Sequence, residues 1–522
     1  MVVPFTCCPI LLYFDNEPFS VTADLPIYQR GELVNKQHQT PLFTGLLAHA
    51  SRNPVQFHIP GHKKGAGMAP EFRKFIGENA LSIDLINIAP LDDLHHPHGI
   101  ILEAQQIAAE AFGADHTFFS VQGTSGAIIT MVMSVCGPGD KILVPRNVHK
   151  SILAGIVLSG ALPVFITPEL DYRLGIAHNV SIEAVRNALD QHPDAKGVLV
   201  INPTYYGVSA DLKSIVELAH ARGVPVLVDE AHGVHLCFHE QLPLSAMQAG
   251  ADMAATSVHK LGGSMTQTSV LNIREGYVQA GRVQSIISML TTTSTSYLLL
   301  ASLDVARKQL ATKGRTMVDR AMRMAENSRR AINEIPGLYC FGAESIGQHS
   351  SRFEFDPTKL CVNVRELGVT GIDMENMLRA EFNIEVELSD LYNILCIISL
   401  GDAEEDLDLL VKALRILAER FYRTRPANAV RVKVPMTPIL AMSPREAFYA
   451  ETEELPINDT EGRVIAESIM VYPPGIPILL PGEIVSRENL EYIEECIEAG
   501  LPVQGTEDPD IQMIKVVKKA RI

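Results

Sequence analysis

The stretch "KGVLVINPTYYGVSADLKSIVELAHARGVPVLVDEAH", residues 196–232, decides the fold because it places a helical segment between two short apolar runs. The runs at 197–201 and 224–229 are rich in Val and Leu, whereas residues 211–223 have the apolar spacing of an amphipathic helix. Strands that alternate with helices of this length predict crossover units, in which parallel strands form a sheet with both faces covered. The same alternation runs from residue 137 onward, so we predict an α/β fold with a mainly parallel sheet.

The sequence beyond this sheet predicts smaller units. Residues 301–335 have the spacing of one long helix or two, and the short apolar runs after them predict further strands, with a helix at 371–382. A helix from residue 403 ends before "RTRPANAV", residues 423–430, which we interpret as a linker. We expect an N-terminal extension without stable structure, a large domain with an N-terminal segment, a small α/β domain and a C-terminal domain of α+β character. Their expected bounds are 1–34, 35–325, 326–430 and 431–522.

Composition and charge exclude several classes of protein. The 522 residues include 44 Lys and Arg against 61 Asp and Glu, a formal net charge of −17 that would repel nucleic-acid phosphates and anionic membranes. Hydrophobic residues make up 47% of the chain and charged residues 20%, which are ordinary values for a globular protein. The eight cysteines form no CxxC pair and no metal-binding Cys/His spacing. We therefore expect reduced cysteines, no metal site, no membrane or nucleic-acid partner, and a cytoplasmic location.

The stretch "AATSVHKLGGSMTQTSVL", residues 254–271, sets Lys260 among small and apolar residues. Partial desolvation of a lysine favours the neutral amine, which is the form that makes a Schiff base. The ordinary alternative is a lysine at a strand end, whose apolar stem lies on the protein while its ammonium group reaches water. The residues around Lys260 do not by themselves choose between the two interpretations.

Two other segments carry groups of matching chemistry. Asp229 closes the run "VPVLVD" and places a carboxylate at the carboxyl end of a predicted strand. An Asp there is equally often a helix cap or a structural hydrogen-bonding group. The segment "SVQGTSGAI", residues 120–128, places Thr124 and Ser125 before a helix. Backbone N–H groups and hydroxyls suit a phosphate there, although Gly-Thr-Ser-Gly is also a common turn. A lysine, a strand-end acid and a phosphate loop are together the parts that hold pyridoxal 5'-phosphate.

With these motifs the sequence resembles the ornithine/lysine/arginine decarboxylases, a family of fold type I pyridoxal-phosphate enzymes. Residues 255–269, "ATSVHKLGGSMTQTS", match the family's lysine attachment pattern in full, and the resemblance spans residues 38–515. The chain is most similar to the short arginine decarboxylases of bacteria. The other segments that carry the resemblance are "FHIPGHKKG" (57–65), "LDDLHHPHG" (91–99), "FFSVQGTSG" (118–126), "VPRNVHKS" (144–151), "NPTYYG" (202–207), "DEAHGVH" (229–235) and "YPPGIPILLPGE" (472–483).

The resemblance implies a role for each matching residue. Lys260 would form the Schiff base with the cofactor, Asp229 would pair with the pyridinium nitrogen, and His149 would lie on the cofactor ring. His149 has the alternative role of capping the helix that follows it. Thr293 would reach the phosphate of the partner subunit, although Thr295 stands nearby where relatives have a proline. The other residues implied to bind the cofactor are Thr124, Ser125, His232, Ser257 and His259.

The resemblance implies a homodimer or higher homo-oligomer, with an active site near the subunit interface, that removes CO2 from a small basic amino acid. Arginine is the expected substrate, giving agmatine for polyamine biosynthesis, and lysine and ornithine are alternatives. An aminotransferase or a β-eliminating lyase on the same fold is a further alternative. A catalytically silent relative is another, although it would be expected to lack Lys260 or Asp229. Each carboxylate that could meet the distal cation of the substrate has the alternative of being a solvated charge or a helix cap. These carboxylates are Asp92, Asp93, Glu451, Glu453 and Glu454.

Overall fold

A computed structural model describes residues 11–14, 17–20, 35–346, 352–422, 437–471, 476–498 and 503–518. Within the expected N-terminal extension, it describes two short strands, Leu11–Phe14 and Glu17–Ser20, which pair antiparallel. The remainder of residues 1–34 lies outside the described residues, so the expected lack of stable structure there stays a prediction.

The large domain is built on a seven-stranded sheet, and the strands of residues 196–232 lie near its centre. Gly197–Ile201 and Val226–Asp229 pair in parallel, as predicted, and the helix Leu212–His220 connects them. Ser269–Ile273 runs antiparallel to both of its neighbours. The prediction of an α/β fold with a mainly parallel sheet is confirmed. In spatial order the strands are His116–Ser120, Ser269–Ile273, Met253–Thr256, Val226–Asp229, Gly197–Ile201, Lys141–Pro145 and Leu162–Ile166.

Helices cover both faces of this sheet because side chains alternate between the faces along each strand. Val226 and Val228 pack in one apolar cluster with the helices Ile182–Gln191 and Leu212–His220, whereas Leu227 packs in the cluster on the opposite face. A strand that is buried on both faces carries apolar residues at successive positions, which explains the continuous Val and Leu runs of the sequence. The helices on the second face are Gly123–Val135, Lys150–Ser159 and Ala280–Leu290.

A single helix, Tyr297–Asn333, joins the large domain to the small one, so residues 301–335 form one helix and not two. The expected domain boundary at residue 325 falls inside this helix. The small domain contains an antiparallel four-stranded sheet whose core is shared with the long helix. Its strands are, in spatial order, Tyr339–Cys340, Lys359–Asn363, Asn393–Ile397 and Leu388–Ser389, and its helices are Ala343–Ile346, Gly371–Phe382 and Glu404–Phe421.

The C-terminal part docks onto the large domain through a buried ion pair. Arg146, which directly follows the strand Lys141–Pro145, lies 2.8 Å (Nη2 to Oε2) from Glu483 and donates to the carbonyl of Pro477 at 3.1 Å. This contact ties the C-terminal part to the segment that leads to His149. The strands of this part are Thr452–Pro456, Ile469–Val471, Ile476–Leu479, Val503–Gln504 and Met513–Val517, and its helices are Pro444–Tyr449 and Arg487–Glu498.

Two helices that precede the sheet in the chain, Pro41–Ser51 and Ile100–Phe112, pack against the long helix Tyr297–Asn333. A second buried ion pair fixes this contact, because Asp304 accepts the N–H of Leu42 at 3.0 Å and pairs with Arg307 at 2.6 Å. No helix in the described part of the chain is long and apolar enough to cross a membrane. The remaining α-helices are Pro70–Ile76, Glu78–Ile83, Ala246–Ala249 and Val258–Leu261, and the remaining strands are Leu170–Asp171, Ile176–Ala177, Val208–Ser209 and Glu354–Phe355.

Candidate active site

Lys260 lies at the carboxyl edge of the sheet, in the short helix Val258–Leu261. The preceding strand ends at Thr256, so Lys260 lies one helical turn beyond the strand. The interpretation that placed Lys260 at the end of the strand is therefore wrong. Its Nζ atom lies 2.7 Å from Nε2 of His232 and 5.2 Å from the centre of the Tyr205 ring. The amine is therefore enclosed by two rings and does not extend freely into water.

The surroundings of Lys260 favour its neutral form. Burial lowers the pKa of Lys260, the charges of Asp229 and Glu387 oppose this effect, and the charge of Lys359 adds to it. A lowered pKa increases the fraction of neutral amine at physiological pH, and that is the nucleophilic form in Schiff-base chemistry. The structure thus favours a desolvated lysine over a solvated lysine at a strand end.

His232 fills the space beside the Lys260 amine. Its ring packs on Tyr205 with 4.0 Å between ring centres, and its buried Nδ1 atom has no hydrogen-bond partner among the residues that the structure describes. Burial lowers the pKa of His232 well below its ordinary value, and the charges of Lys260 and Lys359 lower it further. A neutral imidazole results, which can accept a hydrogen bond from an ammonium group or donate one to a neutral amine.

Asp229 ends the strand Val226–Asp229, as predicted, and its carboxylate is buried. Its Oδ1 atom accepts the N–H of Ala231 at 3.1 Å, and a turn follows it. Asp229 therefore caps no helix, and this bond is the structural hydrogen bond that the sequence left open as an alternative. Burial raises the pKa of the Asp229 carboxyl, whereas the charges of His149 and Lys260 lower it. A carboxylate in this position is ready to pair with a positively charged group.

His149 directly precedes the helix Lys150–Ser159 and caps it, because its Nδ1 atom accepts the N–H of Ser151 at 3.2 Å. The alternative role that the sequence left open is therefore confirmed, and it uses one ring nitrogen. Burial lowers the pKa of His149, and the opposing effects of Asp229 and Lys260 show that all three groups lie within electrostatic reach of one another. The structure thus gathers Lys260, Asp229 and His149 at one edge of the sheet.

Thr124 and Ser257 bring two hydroxyls together at the N-terminus of the helix Gly123–Val135. Their Oγ atoms form a hydrogen bond, and Thr124 Oγ1 also donates to Ser269 Oγ at 3.0 Å. Ser125 follows in the first turn with its side chain exposed. First-turn N–H groups lack intrahelical partners, and the helix dipole adds partial positive charge there. The loop has the donors that a phosphate requires, and its binding role stays a prediction.

His259 and Thr293 lie at the margin of this site. His259 Nδ1 is 2.7 Å from the carbonyl oxygen of Thr268, so one ring nitrogen is engaged within its own loop. Thr293 is exposed in the segment before the long helix, whereas Thr295, in the place of a proline, is 2% exposed. Among the described residues, no side-chain hydrogen bond or ion pair joins His259 or Thr293 to Lys260. Their roles toward a cofactor stay predictions.

The five carboxylates considered for a distal cation do not contact Lys260 in the described part of the chain. Asp92 accepts the N–H groups of Gly99 at 2.8 Å and Ile101 at 2.9 Å, and so caps the helix that follows. Glu453 pairs with Arg463 at 2.5 Å within the C-terminal part. The described residues also contain no group of three or more His, Cys, Asp or Glu arranged to hold a metal ion.

Sequence reasoning missed Glu387 and Tyr205. Glu387 is exposed and accepts the Tyr205 hydroxyl at 2.7 Å, and its charge acts on Lys260. The sequence did contain a signal for Tyr205, because this residue lies in "NPTYYG", directly after a strand that ends at the same edge of the sheet. The sequence contained no signal for Glu387, because this residue belongs to the small domain and lies near Lys260 only in the folded structure.

Two family models cover most of the chain. Residues 40–406 match the major domain of the Orn/Lys/Arg decarboxylases, and residues 427–512 match the C-terminal domain of the same family. The chain belongs to the Orn/Lys/Arg decarboxylase family. The expected family and its fold type I architecture are thereby confirmed.

Individual members of the Orn/Lys/Arg decarboxylase family are very similar to this chain. It is 68% identical over 487 residues to an arginine decarboxylase of Halalkalibacterium halodurans, covering 93% of this chain and 99% of that relative. It is 65% identical over 486 residues to an arginine decarboxylase of Bacillus subtilis, with the same coverage of 93% and 99%. The solved structure of lysine decarboxylase A from Pseudomonas aeruginosa matches with a TM-score of 0.79 at 26% identity, covering 92% of this chain and 81% of that one.

Proposed function

We propose that this chain is a pyridoxal 5'-phosphate-dependent decarboxylase that converts L-arginine to agmatine and CO2. The observation that carries the proposal is the Lys260 amine, desolvated and held beside His232 within electrostatic reach of Asp229. Relatives that share 65–68% of its residues over nearly their whole length are arginine decarboxylases, which supports the choice of substrate.

The residues at this site fit pyridoxal phosphate. Its phosphate dianion suits the hydroxyls of Thr124 and Ser257 at a helix N-terminus. The protonated ring nitrogen suits the buried carboxylate of Asp229, whose one described hydrogen bond comes from the N–H of Ala231. The unpartnered Nδ1 atom of His232 leaves a hydrogen-bonding position that a polar group of a bound molecule can fill.

The cofactor, when bound, supplies an electron sink for the bond that breaks at the substrate's Cα. Asp229 would hold a proton on the ring nitrogen of the cofactor, and this would keep the ring positively charged. Lys260 provides the neutral amine that attaches the cofactor, and His232 exchanges a hydrogen bond with Nζ of that amine. Burial excludes water from Asp229 and His232, so their charges and dipoles act in a medium of low dielectric constant. The alternative groups for returning a proton to Cα are His149, Lys260 or a neighbouring histidine.

A basic substrate suits the negative charge of the chain and the exposed carboxylate of Glu387 near the site. The net charge of −17 attracts cations at long range, and the exposed carboxylate of Glu387 stands beside Tyr205 near Lys260. These features fit arginine, lysine and ornithine alike, so the arginine preference depends on the close relatives. A cytoplasmic role in polyamine synthesis is part of the same proposal.

The experiment is to measure CO2 release by the purified holoenzyme from arginine, lysine and ornithine. We expect kcat/KM to be highest for arginine. A higher kcat/KM for lysine or ornithine would overturn the substrate assignment while leaving the cofactor chemistry intact. Transfer of the amino group without CO2 release would instead indicate an aminotransferase.

We further propose that the enzyme is a homodimer or a higher homo-oligomer, with Thr293 serving the cofactor phosphate of the partner subunit. Exposed apolar side chains support an interface, because large apolar patches on a protein surface often mark sites of protein–protein contact. Six large apolar residues between positions 55 and 76 are exposed, and among them Phe57 is 96% exposed.

A further inference from the structure

A fully buried cluster of charged residues joins the small domain to the large domain close to His232. Lys359 and Asp356 of the small domain are each 0% exposed, and Nζ of the lysine lies 2.6 Å from Oδ2 of the aspartate. The same Oδ2 atom lies 3.0 Å from Nε2 of His235, which belongs to the large domain. Thr358 completes the cluster, accepting from Lys359 Nζ at 3.0 Å and donating to Asp356 Oδ1 at 2.7 Å.

Stability alone does not explain this cluster. Burial would raise the pKa of Asp356, but Lys359 and His235 hold it well below its ordinary value, so the Asp356 carboxylate is favoured inside the protein. The loss of hydration offsets most of the attraction in such a pair, and an apolar pair of the same shape is often as stable. One function of a buried ion pair is to hold the elements around it in a single arrangement.

The elements that the cluster fixes lead directly to Lys260. The N–H of Asp356 donates to the carbonyl of Gly207 at 2.8 Å, and the strand Glu354–Phe355 pairs with Val208–Ser209. Gly207 ends the "NPTYYG" segment, which carries Tyr205. The ring of Tyr205 packs on His232, and His232 contacts the Lys260 amine.

The other side of the cluster is held by the long helix that connects the domains. Arg329 on that helix donates to the carbonyl of Lys359 at 2.8 Å and to the carbonyl of Pro357 at 2.9 Å. The loop 356–359 is thus anchored to the small domain by its carbonyls and to the large domain by the Asp356 side chain and N–H.

The cluster also acts on Lys260 through charge. Lys359 lowers the pKa of both Lys260 and His232, whereas Asp356 raises the pKa of His232. The titratable groups that face Lys260 are His149, Asp229, His232, Glu387 and Lys359, together with the ring of Tyr205.

We propose that Asp356, Lys359 and His235 form an interdomain clamp that positions Tyr205 and His232 against Lys260, and that the charges of the clamp act electrostatically on the site at Lys260. The proposal rests on the proposed function, because it assigns the clamp a part in the reaction at Lys260. The three residues act through others, so they are positioning residues and not catalytic ones.

The test compares Lys359→Met with Asp356→Asn in the holoenzyme without substrate. The measured quantity is the pH midpoint of the change in the visible absorbance of the cofactor bound at Lys260. Removal of the Lys359 cation should raise this midpoint by roughly half to one pH unit, and removal of the Asp356 anion should lower it by a similar amount. In both variants kcat for arginine should fall by about tenfold or more, with KM changed by less than about threefold.

Opposite shifts distinguish the clamp from a loosened fold, which would admit water and move both midpoints in the same direction. The matched control is the pair Asp304 and Arg307, which has the same i,i+3 spacing and the same burial but lies in the large domain against the N-terminal helix. Arg307→Met and Asp304→Asn should lower Tm without moving the midpoint. A shift in these controls equal to that in the clamp variants would overturn the proposal.

If the single variants do not fold, the double variant Asp356→Asn with Lys359→Met removes both charges and leaves no unpaired ion. It should keep the midpoint within about 0.3 pH unit of the wild type and lose about tenfold in kcat. Wild-type kcat in the folded double variant, or unchanged midpoints in folded single variants, would overturn the proposal. Wild-type protein that shows no cofactor absorbance and releases no CO2 would instead contradict the proposed function.

Discussion

Among single residues, Asp229 has the most specific expected effect. Replacing it with Asn keeps the size of the side chain and the hydrogen bond from the N–H of Ala231, but removes the negative charge proposed to pair with the ring nitrogen of the cofactor. We expect the variant to retain bound cofactor and to lose several orders of magnitude in kcat, because a neutral ring is a weaker electron sink. Steady-state kinetics with a cofactor titration checks this. A loss of less than about tenfold, or 1.4 kcal/mol, would mean that another group protonates the ring.

The neighbouring Glu230 provides a control and a pH prediction of its own. Burial raises its pKa to about 7 from an ordinary value of 4.5, and its carboxylate accepts the N–H of Ala246 at 2.6 Å and the hydroxyl of Thr256 at 3.1 Å. Because the pKa is higher in the folded state, the protonated carboxyl stabilises the fold. That stabilisation is complete below a pH of about 4.5 and is lost as the pH rises through about 7.

Glu230→Gln mimics the protonated carboxyl at every pH. The Tm of this variant relative to the wild type should therefore increase between about pH 5 and pH 8, and kcat should change far less than in Asp229→Asn. Thermal unfolding at several pH values measures the difference. An identical pH dependence of Tm in the two proteins would contradict the assignment of the raised pKa to Glu230.

The residue scale also shows what the sequence could predict of the site. Asp229, Lys260 and Thr124 were predictable because Asp229 ends a strand of the sheet, Lys260 lies one turn after another strand and Thr124 lies at the start of a helix beside the sheet. These positions meet at the carboxyl edge of the sheet. Glu387 and Lys359 were not, because they come from the small domain and are placed by domain packing. The sequence around Glu387 and Lys359 does not differ from that around a solvent-exposed charged residue, yet Lys359 is fully buried.

At the scale of elements, the alternation of apolar runs and amphipathic segments was sufficient to predict the parallel strands. The runs are continuous because both faces of the central strands are buried, and this is a local property of the sequence. The helical turn that carries Lys260 was not predicted, since four residues are too few to show helical periodicity. The pairing of Val208–Ser209 with Glu354–Phe355 was beyond prediction because it joins two domains.

That interdomain pairing depends on Gly207. Its φ of +87° is strained for any residue with a side chain, and a Cβ atom would lie 2.8 Å from the carbonyl oxygen of Asp356. We expect Gly207→Ala to lower the free energy of unfolding by about 1–3 kcal/mol and to lower kcat, because the Tyr205 segment moves away from the small domain.

Gly223→Ala is the matched control for this prediction. Gly223 has a φ of +73°, but a Cβ atom added there would meet no heavy atom within 4 Å. Gly223→Ala therefore has the backbone strain of Gly207→Ala without its steric clash. Denaturant unfolding should show a smaller loss for Gly223→Ala, with kcat unchanged. Equal losses in the two variants would show that the contact with Asp356 is unimportant.

At the scale of the whole molecule, the exposed segment at 55–76 predicts association. Val55, Phe57 and Phe75 are 83%, 96% and 84% exposed, and burying such side chains against a partner is favourable by about 25 cal/mol per Å² of apolar area. We expect light scattering to give at least twice the monomer mass at assay concentration. Full activity in a species with the mass of one 57.1 kDa chain would contradict the shared site proposed for Thr293.

The central claim is that Lys260 attaches the cofactor on which decarboxylation depends. The most direct measurement compares visible absorbance and CO2 release from arginine in the wild type, in Lys260→Ala and in the control Lys313→Ala, which changes an exposed lysine of the long helix. Lys260→Ala should lose the absorbance of lysine-bound cofactor and all turnover, while Lys313→Ala should match the wild type. Wild-type kcat in a folded Lys260→Ala protein would contradict the account.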